Sequence, residues 1–329
     1  MRYQITGFGD CVEDIFILAP SKLLVTGRYF GSKKIYLSFP YGDKLSIKEM
    51  HYDLGGSACN AIVAMAKLNI KVALSTVLGS NALNSETFDV FRQYNISTEY
   101  VEKGDHGKLG VSLILAGPTG DRTILMYREA NDFSKIDVKS IVKNSDAIYV
   151  AGIAEYSALL QGKILKALRG TNKKLFINPS GYQLQKDLAT LKKMVARCEA
   201  VSMNFEEAQM LIGRTDMEIK EMLALIKKMG TKKIIITKGR EGAYYHDSSS
   251  FYQITPYKIK AKGGAGSGDA FFGTFIACQM KGESVERSLE MAAINGAYVA
   301  AYYGAQKGQL GWKELKQIVK RDGVKVKKI

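Results

Sequence analysis

The sequence has few of the residues that form metal centres and disulfide frameworks. Among its 329 residues are four cysteines and three histidines. The cysteines lie far apart, with no C-x-x-C pair, at Cys11, Cys59, Cys198 and Cys278. This distribution argues against a zinc site and against a disulfide-stabilised scaffold. We expect the four thiols to be small buried side chains.

Long apolar runs are also missing. No stretch approaches the roughly 18 apolar residues of a membrane-spanning helix, and residues 1–6 lack the apolar core of a signal peptide. The sequence therefore gives no indication of membrane insertion or export, and we expect a cytoplasmic protein. With 46% hydrophobic and 24% charged residues, the composition is that of a globular protein with a large core.

The chain is basic, with a formal net charge of +15 at pH 7. A charge of this sign permits nucleic-acid binding. The lysines, however, are spread in pairs along the chain, and only the tail from residue 320 to 328 is dense. We therefore do not predict a nucleic-acid partner. The lysine-rich surface would instead be solvated and would attract anionic substrates.

Apolar segments typical of strands alternate with segments of helical periodicity along most of the chain. This order is typical of an α/β fold with a mostly parallel sheet and helices on both faces. Two regions differ, residues 21–50 and 108–128, where short alternating runs flank the turn dipeptides Gly42-Asp43 and Gly120-Asp121. They predict a small antiparallel β lid on one large domain, formed by residues 1–20, 51–107 and 129–329. The lid would exclude water from a ligand cleft, or would simply extend a sheet edge.

The most informative segment is the run G-G-A-G-S-G-D at residues 263–269, which leads directly into an apolar helical pattern. Glycines let several backbone N–H groups converge on an anion, and a helix N-terminus adds partial positive charge. A carboxylate at this place would repel a phosphate unless it has a chemical role. We interpret Asp269 as a base that takes a proton from a hydroxyl group, which then attacks a bound phosphoryl group. The alternative is an ordinary N-capping aspartate.

Two common phosphate-binding motifs do not fit this sequence. Gly263 and Gly268 have the spacing of a P-loop, but Asp269 stands where that motif has its lysine. A Rossmann fingerprint would follow the first strand, where Gly7 and Gly9 lack the third glycine of the motif. Nicotinamide chemistry is therefore only a weak alternative.

Several segments, in order along nearly the whole chain, resemble the ribokinase-like (PfkB-type) carbohydrate kinases. The segments are Gly7-Phe8-Gly9-Asp10 with Asp14, Asp53-Leu54-Gly55-Gly56-Ser57-Ala58-Cys59-Asn60-Ala61, Gly120-Asp121-Arg122-Thr123, Asn204-Phe205-Glu206-Glu207-Ala208, Thr237-Lys238-Gly239 and Gly266-Ser267-Gly268-Asp269. Each motif alone is weak, whereas all of them in order are a strong signal. The resemblance implies a ribokinase-like α/β fold with a β lid.

The resemblance also implies an acceptor site. Asp14 would accept hydrogen bonds from substrate hydroxyls, and Asn60 would bind the sugar through its amide. Gly55 and Gly56 would let the backbone approach the sugar closely. Arg128 would favour a carboxylate or phosphate on the substrate, unless it is a surface residue of the lid.

For the reaction itself, the resemblance implies that Asp269 is the base. The backbone N–H groups of Gly266, Ser267 and Gly268 would stabilise the charge on the transferring phosphoryl group.

A nucleotide and metal site follows from the same resemblance. Asn204 and Glu207 would organise hydrated Mg²⁺ and phosphate, with Glu207 acting through water. Thr237 and Gly239 would line the site for ATP, and Asn295 would reach its purine end. Without the resemblance, Asn204 is equally well a turn residue and Asn295 a helix-buried amide.

One departure from the family pattern concerns the residues before the base. The family usually has D-[TS]-x there, whereas this chain has Gly263, Gly264 and Ala265. The missing acid and hydroxyl put activation by a monovalent cation in doubt, but the base and the glycines of the anion hole remain.

These observations predict an ATP-dependent kinase that phosphorylates a hydroxymethyl group of a small sugar. A nucleoside kinase of the same superfamily is the first alternative. A catalytically silent regulator that binds a nucleotide or a sugar is the alternative from another class. The resemblance permits a homodimer formed through the lid.

Overall fold

The fold is described from a computed structural model, which covers residues 2–18, 24–29, 32–47, 49–79, 84–104, 109–117, 122–127, 132–153 and 157–329. The predicted Gly120-Asp121 turn and Arg128 lie outside these residues. Within this part of the chain, no helix is long and apolar enough to cross a membrane. All four cysteines are free and buried, as expected.

The strands, numbered in chain order, are β1 (Tyr3–Phe8), β2 (Val12–Leu18), β3 (Leu24–Tyr29), β4 (Ser32–Leu37), β5 (Met50–Gly55), β6 (Val72–Leu78), β7 (Val101–Lys103), β8 (Gly110–Ala116), β9 (Arg122–Tyr127), β10 (Ser145–Ala151), β11 (Lys174–Asn178), β12 (Ala200–Asn204), β13 (Lys233–Thr237), β14 (Ala243–His246), β15 (Phe251–Ile254) and β16 (Val326–Lys328).

The α-helices are α1 (Ser57–Lys67), α2 (Asn84–Gln93), α3 (Val138–Lys143), α4 (Ser157–Ala167), α5 (Gly181–Lys186), α6 (Leu188–Arg197), α7 (Phe205–Ile212), α8 (Ile219–Lys228), α9 (Ser267–Met280), α10 (Val285–Ala300) and α11 (Trp312–Asp322). Short 3₁₀ helices cover Phe133–Lys135 and Gly239–Glu241.

A ten-stranded sheet forms the centre of the fold, in the order β16-β15-β14-β13-β12-β11-β10-β1-β6-β7. Every neighbouring pair from β13 to β7 is parallel, and β14, β15 and β16 extend the sheet as antiparallel strands. The predicted mostly parallel sheet is confirmed.

Two apolar cores lie on opposite faces of this sheet, because successive side chains of a strand point to opposite faces. In β10, Tyr149 packs in the core that contains α1, α9 and α10, whereas Ile148 and Val150 pack in the core that contains α4, α6 and α8. Strands covered on both faces read as continuous apolar runs, as β10 does. Their carboxyl ends open at one edge of the sheet, where ligands bind in open α/β folds.

The smaller sheet has four strands in the order β5-β2-β8-β9. Its outer strand pairs are antiparallel, and the central pair β2–β8 is parallel. The predicted lid boundaries change accordingly, because residues 12–18 and 51–55, assigned to the large domain, belong to this sheet. The chain passes from β1 to β2 within three residues, without a turn signal that the sequence analysis could use. Strands β3 and β4 form a separate two-stranded sheet.

The small sheet has an inner and an outer face. Paired positions place Asp14, Ser112 and Met126 in one row of the inner face, which lines a cleft against the large domain. The outer face carries the apolar row Tyr52, Ile15, Leu113 and Leu125, one residue from each strand.

Candidate active site

A cleft of about 1630 Å³ lies between the carboxyl ends of the parallel strands and the inner face of the small sheet. Asp10, Asn178 and Asn204 line it from the ends of β1, β11 and β12 or just beyond them. Ligand pockets are commonly about 300–1,000 Å³, so this cleft is large enough for two substrates.

We call the loop before α9, which lines the cleft, the anion-binding turn after its predicted role. Gly264 and Gly266 have φ of +66° and +75°, in the left-handed region that favours glycine. The Ser267 hydroxyl donates to the Gly264 carbonyl oxygen at 2.8 Å and fixes the turn. Gly266 and Gly268 donate no backbone hydrogen bond within the described residues, whereas the Ser267 N–H makes a long one of 3.4 Å to Gly264. These N–H groups at the start of a helix provide positive potential for an anion.

Asp269 lies in the first turn of α9 and is buried, with 8% of its surface exposed. The Asn60 Nδ2 donates to Asp269 Oδ2 at 3.0 Å, and the Asn178 Nδ2 donates to Asp269 Oδ1 at 3.0 Å. Burial, with the nearby charge of Asp14, raises the pKa of Asp269 to about 7, although hydrogen bonds from the two asparagines and Ser57 oppose the rise. A carboxyl group with this pKa can exchange a proton near neutral pH.

Asn60 lines the cleft, but its amide is already held by the protein. Besides donating to Asp269, Asn60 accepts a hydrogen bond at its Oδ1 from Gln306 Nε2 at 3.3 Å. The structure therefore joins the predicted sugar-binding residue directly to the predicted base.

Asp14 projects from β2 into the cleft and is 5% exposed. A Cβ at Gly55 would lie 2.1 Å from Asp14 Oδ2, so the absence of a side chain at Gly55 makes room for this carboxylate. Gly56 lines the cleft, and a Cβ there would lie 2.2 Å from the Asp10 carbonyl oxygen. The two glycines thus permit close approach of Asp14 and Asp10, the two acids on the acceptor side.

The inner face of β9 carries Arg122, Ile124 and Met126 into the cleft. The Arg122 guanidinium approaches the anion-binding turn, because its Nη1 is 2.7 Å from the position that a Cβ on Gly264 would occupy. The sequence indicates Arg122 only as part of the G-D-R-T motif, and the arginine predicted in the cleft was Arg128.

Asn204 and Glu207 form a reciprocal cap at the start of α7. Asn204 Oδ1 accepts from the Glu207 N–H at 2.8 Å, and Glu207 Oε2 accepts from the Asn204 N–H at 2.8 Å. Burial, together with the charges of Asp269 and Glu206, raises the pKa of Glu207 to about 7. A carboxylate in such surroundings is stabilised by a cation, so Glu207 fits a place next to Mg²⁺.

The predicted site for hydrated Mg²⁺ at Glu207 needs few ligands from the protein. In the described part of the chain, no cluster of three or more His, Cys, Asp or Glu side chains could enclose a metal ion. Mg²⁺ is usually held by one or two carboxylates, several waters and the phosphates of a substrate. Glu207 therefore fits the predicted role of a ligand that acts through water.

At the other end of the cleft lie Thr237, which ends β13, and Gly239. Lys238 lies between them with its Nζ 4.9 Å from the Phe205 ring centroid. The role of Thr237 and Gly239 at a nucleotide site stays a prediction. The opposite wall is a face of α10 made of small residues at i, i+3, i+4 and i+7, namely Ala293, Gly296, Ala297 and Ala300. Their spacing presents a flat apolar surface suited to a purine ring.

Asn295 lies outside this site, contrary to the prediction. It is fully buried, with 0% exposed. Its Nδ2 donates to Thr274 Oγ1 at 2.7 Å, and its Oδ1 accepts from the Leu310 N–H at 2.8 Å. The α-helical period turns Asn295 away from the face that Gly296 presents to the cleft, so it joins α10 to α9 and to the chain before α11.

Sequence reasoning missed Asn178, although a signal was present. Asn178 ends an apolar strand, and polar residues at the carboxyl ends of parallel strands commonly face the ligand site. The small-residue face of α10 was also missed, because alanine and glycine at helical spacing are equally typical of helix packing.

Comparisons with known proteins identify the family of the chain. The family model for the pfkB family carbohydrate kinase matches residues 29–310. The 5-dehydro-2-deoxygluconokinase of Clostridium botulinum (strain Alaska E43 / Type E3) is 25% identical over 286 residues, covering 81% of this chain and 84% of that protein.

Solved structures share the fold. An Arabidopsis thaliana ribokinase complexed with ribose and ATP has a TM-score of 0.74 at 18% identity, over 97% of this chain and 99% of that one. A candidate ribokinase II from E. coli, in complex with ATP and Mg²⁺, has a TM-score of 0.78 at 15% identity, over 97% and 99%. At such identities the likeness shows the fold alone. Because the family model matches most of the chain, this protein belongs to the pfkB family of carbohydrate kinases, phosphotransferases that act on an alcohol group.

Proposed function

We propose that the protein transfers the γ-phosphoryl group of ATP to a hydroxymethyl group of a small sugar. The observation that carries this proposal is Asp269, a buried carboxylate in the first turn of α9, directly after an anion-binding turn and facing Asp14 across the cleft. A proton acceptor beside an anion site is what phosphoryl transfer to a hydroxyl group needs. The E. coli neighbour holds ATP and Mg²⁺, which supports this donor.

In the proposed reaction, Asp269 accepts the proton of the substrate's hydroxymethyl group. The hydroxymethyl oxygen then forms a bond to the γ-phosphorus of ATP, and the bond between that phosphorus and the bridging oxygen breaks. A pKa of about 7 suits a base that works near neutral pH. The N–H groups of Gly266 and Gly268 donate to the transferring group, and Ser267 contributes less because its N–H already bonds to Gly264. One well-placed donor of this kind contributes about 3 kcal/mol.

The donor would lie between the anion-binding turn and the wall formed by α10. Thr237 and Gly239 would border the nucleotide, and Asn204 and Glu207 would hold hydrated Mg²⁺ through water. Bound Mg²⁺ would neutralise charge on the phosphates. The raised pKa of Glu207 supports this assignment, since a nearby cation would stabilise its ionised form.

On the acceptor side, Asp14 and the second amide hydrogen of Asn60 would bind sugar hydroxyls. Arg122 places a positive charge in the same space, which suits an acceptor with a carboxylate or phosphate. A relative named 5-dehydro-2-deoxygluconokinase supports a sugar acid as one such acceptor. The apolar Ile124 and Met126 would contact a nucleobase equally well, so a nucleoside remains the second candidate. The role proposed for Arg128 stays a prediction.

The deciding experiment measures ATP consumption with a panel of acceptors. The panel contains ribose, fructose, a keto-deoxy sugar acid, adenosine and inosine. We expect a sugar or sugar acid to give the highest kcat/KM. Adenosine or inosine as the best acceptor would support the nucleoside alternative. Calorimetric binding of ATP or sugar with no turnover on any acceptor would instead indicate the silent binding protein.

We also propose that the enzyme needs no monovalent cation. The Ala300 carbonyl oxygen accepts hydrogen bonds from the N–H groups of Lys262 and Gly263 at 2.8 and 3.2 Å, which ties the catalytic loop to the end of α10 directly. A Cβ at Gly263 would lie 2.9 Å from the Tyr302 carbonyl oxygen, so an acidic side chain has little room there. Rates measured in potassium and in tetramethylammonium chloride should agree. A large activation by potassium would contradict this proposal.

A homodimer through the lid is a further part of the proposal. The row Tyr52, Ile15, Leu113 and Leu125 crosses the outer face, and Tyr52 and Leu125 are 54% and 53% exposed. Contiguous exposed apolar surface on a sheet is typical of an interface. Light scattering should give twice the chain mass for the wild type and the chain mass for Leu125→Lys. A monomeric wild type would contradict the dimer.

We place the enzyme in the cytoplasm as a proposal as well. Its four cysteines are free and buried, and free thiols persist in reducing compartments.

A further inference from the structure

Asn178 occupies a place that none of the predicted roles uses. It is the last residue of β11 and lines the cleft. Its Nδ2 donates to Asp269 Oδ1 at 3.0 Å, while Asn60 Nδ2 donates to Asp269 Oδ2 at the same distance. Each oxygen of the carboxylate thus receives one amide hydrogen from a different element, so the two amides fix its rotation.

Local structure does not require this side chain. The next helix, α5, is capped by Ser180, whose Oγ accepts from the Gln183 N–H while the Gln183 side chain accepts from the Ser180 N–H. Asn178 therefore has no part in starting α5. The ladder with β10 and β12 uses backbone groups only. Its amide is free to serve the carboxylate across the cleft.

We propose that Asn178 is a positioning residue for phosphoryl transfer, which holds the Asp269 carboxylate in the orientation that accepts the hydroxyl proton. This inference rests on the proposed role of Asp269 as the base. Without the Asn178 hydrogen bond, Asp269 Oδ1 loses this amide donor and the carboxylate can rotate more freely about its Cβ–Cγ bond. A misplacement of about 1 Å in a reacting group can reduce a rate about 10²-fold.

The charges around Asp269 decide the direction of the expected pH effect. Asp14 from β2 and Glu207 from α7 face it with negative charge, and Arg122 from β9 lies at the neighbouring turn. Tyr149 from β10 is neutral, because burial raises the pKa of its hydroxyl. Hydrogen bonds from Asn60, Asn178 and Ser57 favour the ionised form of Asp269. Removal of the Asn178 bond should therefore move proton loss from Asp269 to higher pH.

The test compares Asn178→Leu, which keeps the shape without a donor, with Asn178→Ser, which keeps a shorter polar group. The matched control is Tyr149→Phe. Tyr149 is fully buried beside Asn178 and Asp269, but its hydroxyl makes no hydrogen bond of ordinary geometry within the described chain. Steady-state rates are measured for each variant between pH 5.5 and pH 9.5 with both substrates varied, using the best acceptor of the panel.

We expect Asn178→Leu to lower kcat at neutral pH by about 10- to 150-fold, the range for a lost hydrogen bond to a charged group. KM for both substrates should change little. The acidic limb of the kcat profile should move up by about one to two pH units. Asn178→Ser should fall between Asn178→Leu and the wild type, and Tyr149→Phe should keep the wild-type limb.

Other outcomes separate this inference from the proposed function. An unmoved acidic limb, or a raised acceptor KM with unchanged kcat, would overturn the positioning role of Asn178. If Asn178→Leu does not fold, the kcat–pH profile of Asn178→Ser is used alone, and an unmoved acidic limb would again overturn the positioning role. Asp269→Asn, measured in parallel, tests the base itself. Loss of turnover in Asp269→Asn with an unmoved limb in the Asn178 variants would remove only the inference about Asn178.

Discussion

The two sheets of this molecule differ in what covers them. Every residue of β6 in the large sheet is buried, whereas every residue of β9 in the small sheet is exposed. A parallel sheet between two helical layers is buried on both faces. The small sheet offers its inner face to the cleft and its outer face to solvent. The large sheet thus supplies a frame covered on both faces. The small sheet packs part of its inner face, through Phe16 and Ile114, against Ala265 of the loop before α9, and it exposes Tyr52 and Leu125 on its outer face.

The chemistry divides in the same way. Asp269, Asn178 and Glu207 are carried by strands and helices of the large domain, where Asn178 bonds to Asp269 and the Glu207 N–H bonds to the Asn204 side chain. Asp14, Ser112 and Arg122 are carried by the small sheet. We therefore expect changes in the first group to lower kcat and changes in the second group to raise the acceptor KM.

The largest effect is expected for Asp269→Asn. The amide keeps the shape of the side chain but cannot take the hydroxyl proton at neutral pH, so turnover should fall about 10²- to 10⁴-fold. Calorimetry should show that ATP and acceptor still bind. A variant that keeps more than about a tenth of the wild-type rate would contradict the base role.

The same carboxylate should reduce the free energy of unfolding at high pH. The folded pKa of Asp269 is about 7, above the ordinary value of 3.8, so the folded state binds more protons between these values. Stability is then lost as pH rises from about 4 to 7, by at most about 4 kcal/mol for this group. The difference in unfolding free energy between Asp269→Asn and wild type should move in favour of the variant between pH 5 and pH 8. A difference independent of pH would contradict the raised pKa.

Core substitutions test the contrast between the sheets directly. Phe272 is fully buried beneath the large sheet beside Tyr149 and Phe176, so Phe272→Ala should cost about 3–5 kcal/mol in urea unfolding. Leu125→Ala on the outer face of the small sheet should cost less than about 0.5 kcal/mol at low protein concentration. Equal losses would mean that the small sheet is part of the core.

The sequence predicted the large sheet correctly, and it predicts an anion-binding role for the loop before α9, because both segments have strong local patterns. Buried parallel strands appear in the sequence as short apolar runs. Four glycines directly before an acidic residue at the start of a helix leave few interpretations other than an anion site. The edges of the lid were wrong because β2 continues from β1 almost without a break. Asn295 was misplaced because the family resemblance does not show which way a helical side chain points. To predict Asn178 as a site residue, one must know which strand ends lie side by side, and this depends on the order of the strands in the sheet.

In the small sheet, Asp14→Ala should weaken binding of the sugar acceptor and leave binding of ATP unaffected. When the carboxylate that accepts hydrogen bonds from sugar hydroxyls is removed, binding loses about 1.5–3 kcal/mol, or roughly 10- to 150-fold in affinity. The matched control is Glu13→Gln, the preceding residue of β2, which points to the outer face. An effect of Asp14→Ala on the KM for ATP, or an equal effect of Glu13→Gln on the acceptor, would break the proposed division between the sheets.

The smallest effect is expected for Glu207→Gln. The glutamine can still accept the hydrogen bond from the Asn204 N–H through its amide oxygen, so the cap of α7 should remain. The variant loses only the negative charge, and therefore the proposed water-mediated interaction of the carboxylate with Mg²⁺. The Mg²⁺ concentration for half-maximal rate should rise several-fold, while the acceptor KM stays constant. Glu206→Gln, with the same loss of charge at the exposed neighbouring position, should change neither value. A raised acceptor KM with an unchanged Mg²⁺ concentration for half-maximal rate would instead place Glu207 on the sugar side of the cleft.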